Sequence, residues 1–348
     1  MPTFSCAYSD IKSKPDVCYY YAVGSFSIPN KPWESIKKSE IFLKNYLSYA
    51  EKIGILNHLK DVINSPLNKQ RNLHSVSLYF LGAYLMEQLR ISSFSTQDQY
   101  SRHPFLYSWF ITCLSHDFGY ALETSKNYKQ LIKRIEGLGL EAFYDEFGLS
   151  PRYRSIFKSF PYEQTDFYFR KRAEVYHCID HGIAGGILLY HNLLKELNEW
   201  EKFDKYPLDP TAFTGHNGRL FRIPENAKNL FAELADSVIA HNIFLSTMNQ
   251  WRTDHQLEPL HHKPFSLSNN PLAFILGLAD TLEPVKRFSF KPSCLNHINI
   301  DILNNDRIII NCDDNFNTST YYQGIKKLEG WLAVKVVLCN SSITIVLI

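Results

Sequence analysis

Apolar residues recur at three- and four-residue intervals over most of the chain, and only past residue 297 does the interval fall to two. Across 33–59 the series Ile36, Ile41, Phe42, Tyr46, Ala50 and Ile53 predicts a helix, with Gly54 marking an end or a kink. Residues 72–90 predict a second helix, so strongly apolar that it must be buried. The polar stretch 92–102 reads as a loop, and Pro104 restarts a helical pattern that ends in His116-Asp117. Short helices are expected over 128–138 and 141–147, then an aromatic stretch interrupted by Pro151 and Pro161. Further helices are predicted over 173–197, 225–244 and 270–284, with a polar loop at 201–223. Residues 1–32, with Pro15, Pro29 and Pro32, read as an irregular N-terminal arm. At the other end, 298–310 read as two strands around an Asn-Asn-Asp turn, 321–331 as a short helix, and 332–338 with 343–348 as a terminal hairpin. The expected fold is mainly α: a helical bundle over 33–289 followed by a small C-terminal α+β subdomain at 290–348.

Composition narrows the function classes. At 348 residues and 45% hydrophobic, the chain can bury a sizeable core and is not disordered. A net charge of +2 favours neither a nucleic-acid coat nor an acidic tail, so stable nucleic-acid binding is not expected. The seven cysteines are scattered and odd in number and form no Cys-x-x-Cys, which excludes a disulfide framework and a structural zinc site. A reducing, cytoplasmic setting is the simplest expectation. No secretory signal and no run long enough to cross a bilayer is visible.

Six polar residues interrupt the apolar helices: His74, His116, Asp117, His181, His241 and Asp280. Apart from the adjacent pair, each lies on a different predicted helix. A buried carboxylate is costly unless it is paired, and the ordinary fate of a buried His is a hydrogen bond to the backbone. Four imidazoles and two carboxylates meeting in a bundle core can instead hold two divalent ions, with Asp117 placed to bridge them. Mixed nitrogen and oxygen donors suit Fe, Mn, Co, Ni or Zn.

In context, these residues resemble the HD superfamily of metal-dependent phosphohydrolases. The resemblance covers residues 70–290. It rests on His74-Ser-Val-Ser, on His116-Asp-Phe-Gly, on His181-Gly-Ile-Ala-Gly-Gly-Ile-Leu, on Ile239-Ala-His241 and on Leu278-Ala-Asp-Thr-Leu-Glu-Pro284. It implies an HD-type helical bundle and the two-metal branch of the family. His74, His116, Asp117 and Asp280 would surround one ion; His181 and His241, with Asp117 shared, would hold the other. Several two-metal members carry Lys after His-Asp-x-Gly, where this chain has Tyr120.

Other residues enter as substrate contacts. Tyr120 can donate to a phosphate oxygen. His177 precedes His181 by one helical turn and would share its face. Lys286 and Arg287 can grip phosphate as point charge and fork. Asp180 reads as part of a solvated face, Glu283 as a cap or a partner for a nearby base, and His255, His261 and His262 as a surface loop or lid. The leading expectation is hydrolysis of a nucleotide or other small phosphorylated substrate, with Asp117 and His116 as the catalytic pair. The alternatives are a diiron oxygenase of the same superfamily, such as myo-inositol oxygenase, and a nucleotide-binding regulatory module. Oligomeric state is not readable.

Overall fold

The computed structural model describes residues 1–14, 28–52, 69–91, 104–117, 119–120, 128–203, 227–243, 263–289, 291–313 and 316–348. The expected loop at 92–102, residues 204–223 of the expected loop at 201–223, and His255, His261 and His262 lie outside them, while 201–203 are helical.

The body is built around α3, Lys69–Gln88. Its residues from Leu73 to Met86 are buried all round, so it has no amphipathic stripe and must be enclosed by other helices. It is enclosed by α1 (Phe4–Ser13), α2 (Ile36–Lys52), α4 (Pro104–Ser115) and α9 (Pro271–Leu282). Helices α7 (His181–Phe203) and α8 (Ala227–Ala240) form a tightly packed pair, and α8 also lies against α4 and α9. Helices α5 (Tyr128–Glu146) and α6 (Tyr162–Tyr176) make a second pair, and α5 breaks at Gly139 near the break expected from the sequence. Pro284–Arg287 forms the short α10.

Two expectations need correction. The start of the N-terminal arm is helical, while residues 15–27 lie outside the described residues. Thr3 caps α1 by accepting from Cys6 N at 3.2 Å, and Phe4, Tyr8 and Ile11 lie on one buried face. Tyr8 meets Trp33 edge to face with ring centroids 5.3 Å apart, which ties the helix to the core. The prolines that suggested irregularity all lie past its end. Second, no single helix carries both His177 and His181. Helix α6 stops at Tyr176 with His177 in a left-handed cap (φ 49), and α7 begins at His181. Asp180 causes the restart: its buried carboxylate accepts from Ile183 N at 2.9 Å, an N-cap bond.

The C-terminal segment follows the expectation. Strands β1 (Ile298–Leu303), β2 (Arg307–Cys312), β3 (Val334–Cys339) and β4 (Ser342–Leu347) form an antiparallel sheet in the order β1-β2-β4-β3. Asn304 and Asn305 at the first turn and Asn340 at the second take the positive φ that tight hairpins need. Ile300, Ile310, Ile345 and Val336 face inward. Helix α11 (Thr318–Lys326) packs against β3, β4 and α9. Thr3 bridges Asn299, and Ile300 N donates to Pro2 O at 3.0 Å, so the chain's start lies along the sheet's edge strand. Among the described residues no helix is long and apolar enough to cross a membrane, and no cysteines are disulfide-linked.

If α1 is core, Ile11→Ala should destabilise the protein by about 2–5 kcal/mol, the usual range for an emptied aliphatic site. Urea unfolding measures this; an unchanged midpoint would mean that α1 is dispensable.

Candidate metal centre

All six residues singled out by the sequence are buried and meet in one place. They form two groups, His74 with His116 and Asp280, and Asp117 with His181 and His241; within each group the ligand atoms lie within 4.8 Å of one another. The groups adjoin. Asp117 Oδ1 is 3.4 Å from His116 Nε2 in one and 3.7 Å from His181 Nε2 in the other. The centre therefore has two triads with one carboxylate between them.

Each donor is delivered by a helix end or a buried helix face. His74 is on α3. His116 and Asp117 follow directly on α4, where the chain turns sharply and Tyr120 N donates to Asp117 O at 3.1 Å. That turn presses against the start of α7. A Cβ at Gly119 would lie 2.1 Å from the carbonyl oxygen of His181, so only glycine lets the two segments approach. Gly186 does the same for α7 and α8, since a Cβ there would lie 2.6 Å from Ala235 O. This contact brings His181, at the first turn of α7, and His241, just past α8, to a ring separation of 5.3 Å.

The hydrogen bonds fix which ring nitrogens carry protons. His116 Nδ1 donates to Cys113 O at 2.6 Å and His241 Nδ1 to Val238 O at 2.5 Å. His74 Nδ1 faces the carboxylate of Glu283 at 2.8 Å. A carbonyl or carboxylate only accepts, so each ring carries a proton on Nδ1, which in the neutral ring leaves the lone pair on Nε2. These bare atoms point at one another. His74 Nε2 lies 3.2 Å from His116 Nε2 and 2.9 Å from Asp280 Oδ1. Asp117 Oδ1 and His241 Nε2 are buried and have no hydrogen-bond partner among the described residues. Buried acceptors without donors are costly, and a cation satisfies all of them at once. The donor set thus fits metal ions.

The electrostatics agree at four of the six residues, His116, His181, Asp117 and Asp280. His74 differs: burial and Lys286 push its pKa down, but its bonds to Asp280 and Glu283 outweigh them and raise it. Burial, with the neighbouring imidazoles, pushes the His116 pKa down to about 4 against the pull of Asp117 and Asp280. Burial and His241 push His181 well below its ordinary value. Burial would raise Asp280, but Lys286, His74 and His116 outweigh it and hold the carboxyl well below the usual range. Asp117 is likewise held low, by His116, Lys286 and His181 against burial. Neutral imidazoles and ionised carboxylates are the states that ligate metals.

Around the triads stand residues that the sequence placed less well. Lys286 donates to Asp280 Oδ1 at 3.0 Å and keeps 27% of its side chain exposed. Arg71, not singled out beforehand, donates to Asp117 Oδ2 at 3.0 Å and is 31% exposed. Its guanidinium lies 3.5 Å above the Tyr120 ring, and that ring stacks on His181 at 3.8 Å. The overlooked signal was helical spacing: Arg71, His74 and Ser77 recur every three residues on an otherwise apolar helix. Arg287 is exposed, and its Nε donates to Thr281 O at 3.2 Å. His177 is exposed at the end of α6, so the shared face with His181 does not exist. Asp180 is fully buried rather than solvated and also accepts from Asn242 Nδ2 at 3.0 Å. Glu283 plays both roles expected of it, capping α10 and holding His74.

Metal analysis of protein purified from metal-supplemented cells should find close to two transition-metal ions per chain. Chelation should lower the thermal midpoint, because an ion present at 100 times its Kd adds about 2.7 kcal/mol of stability. An unchanged midpoint in metal-free protein would contradict the fit. No family model, curated protein or solved structure matches the chain, so the reading of its function rests on the paired triads themselves.

Proposed function

We propose that the protein is a two-metal phosphohydrolase acting on a nucleotide or another small phosphorylated molecule. The observation that carries this reading is the placing of two partly exposed cations, Arg71 and Lys286, on the two carboxylates of the double triad. Asp117, Asp280 and Glu283 supply three negative charges against these two positive ones. Two divalent ions would leave the site strongly positive, which suits a phosphoryl group.

In this reading His74, His116 and Asp280 would hold one ion, and Asp117, His181 and His241 the other. Such ions would supply Lewis acidity and acidify a water at neutral pH. The remaining work falls to the chain's own side chains. Lys286 presents a point charge and Arg71 a fork to the equatorial phosphoryl oxygens. Both are oriented beforehand, Lys286 by Asp280 and Arg71 by Asp117 and the Tyr120 face, so little reorganisation is needed as charge develops. Tyr120 offers its hydroxyl to a phosphate oxygen while its ring stays in the stack. The Nδ1 bonds of His74, His116 and His241 keep those rings in the ligating tautomer throughout.

The test is a panel of phosphomonoesters and phosphodiesters, nucleotides included, presented to Mn-, Co- and Fe-loaded protein. Release of phosphate or of a nucleoside monophosphate is expected. Asp117→Ala should lower kcat by at least about 100-fold while the protein stays folded. Lys286→Ala should raise KM by about 10- to 100-fold, the worth of one charged hydrogen bond. Oxygen consumption by iron-loaded protein without phosphoester cleavage would favour the oxygenase alternative and overturn this proposal.

A further inference from the structure

On the edge of His74 opposite its ligand nitrogen lies a polar system that the proposed chemistry leaves unused. Its hub is Glu283, which has no exposed surface. Oε2 accepts from His74 Nδ1 at 2.8 Å and from Lys286 N at 2.9 Å. Oε1 accepts from Ser77 Oγ at 2.5 Å and from Val285 N at 2.9 Å. Ser77 lies one turn beyond His74 on α3, and its oxygen is 3.2 Å from the hydroxyl of Tyr8 on α1. Ser77 has a single proton, committed to the carboxylate, so Tyr8 is the donor to Ser77. Burial and the charge of Glu283 raise the Tyr8 hydroxyl well above its ordinary value, so it remains a donor. From the other end of the chain, Tyr321 on α11 donates to Leu282 O, the carbonyl directly before Glu283.

We infer that both ends of the chain act on one metal cluster: Tyr8, through Ser77, and Tyr321, through Leu282, are positioning residues that fix Glu283 and thereby His74. This rests on the metal reading above. The argument is geometric. A carboxylate held by two donors on each oxygen cannot turn, and the imidazole it grips cannot rotate its Nε2 off the ligand position. Removing Ser77 leaves Oε1 with a single backbone donor, and the carboxylate gains a pivot about the cap of α10.

The second cluster is held differently. His181 Nδ1 has only the Asn242 amide at 3.4 Å, a long contact, and the ring is fixed through its face by Tyr120. The effect is therefore confined to the His74 cluster. This assigns a role to α1 and to the C-terminal segment, neither of which contributes a ligand.

Cobalt(II) titration of the full chain, followed by calorimetry and visible absorption, tests this. Wild type should show two dissociation constants. Ser77→Ala should raise one of them about 10-fold, in line with the loss of outer partners of ligating histidines, and leave the other unchanged. Tyr8→Phe and Tyr321→Phe, which keep the packing, should move the same constant in the same direction by less. In a His241→Ala background the Ser77→Ala shift should persist; in an Asp280→Asn background it should vanish. Ile11→Ala serves as the comparator, less stable but with both constants unchanged. If Ser77→Ala and the two Phe variants leave both constants at wild-type values, or shift both constants alike, the inference is wrong while the metal reading survives. A wild type that takes up no cobalt ends both.

Discussion

The centre of this protein is organised by repulsion. Nε2 of His74, Nε2 of His116 and Oδ1 of Asp280 are lone-pair atoms forced together inside a fold, and Asp117 Oδ1 and His241 Nε2 beside them have no donor. Water could satisfy one or two such atoms in an open cleft, but these are buried. Three of the four rings spend a proton on the far edge, and at His116 burial resists a second one. A positive ion at the focus would convert the repulsion into attraction. Without one, the fold must withstand the unfavourable arrangement, and that demand explains much of its construction.

Rigidity comes from where the donors are mounted. His74 sits on a helix enclosed on every side, and Asp280 on one that is buried from Leu272 to Leu282. His116, Asp117 and His241 lie just past helix ends, and His181 at a helix start, where backbone carbonyls and side-chain caps can hold them. Glycines 119 and 186 permit backbone approaches closer than any side chain would tolerate, which brings these ends to one point. Precision of this kind depends on the absence of side chains as much as on their presence.

The ligand residues were legible because polar side chains are conspicuous in apolar helices; periodicity located each one without placing it in space. The alternating strands and Asn-rich turns were legible for the same local reason. What stayed hidden was non-local. The arm at 1–32 looked irregular because three prolines dominate its composition, while Phe4, Tyr8 and Ile11, the residues that fold its start, acquire meaning only against Trp33 and Phe80. The break between α6 and α7 was masked by continuous helical spacing, since a capping bond from Asp180 overrides periodicity without altering it. Arg71 was not singled out, because its partners Asp117 and Tyr120 are distant in sequence.

Tyr120 illustrates how such a site redistributes charge. The family resemblance leads one to expect a lysine at this position, and its replacement by an aromatic ring removes a cation from beside the ligands. Two cations stand nearby on other elements: Lys286, 3.0 Å from Asp280, and Arg71, lying flat on the Tyr120 face. A lysine at 120 would meet Arg71 as a like charge and would abolish the stack that holds His181 by its face. The tyrosine thus serves an arrangement in which positive charge arrives from α3 and α10, leaving the turn after His116-Asp117 to supply a flat surface.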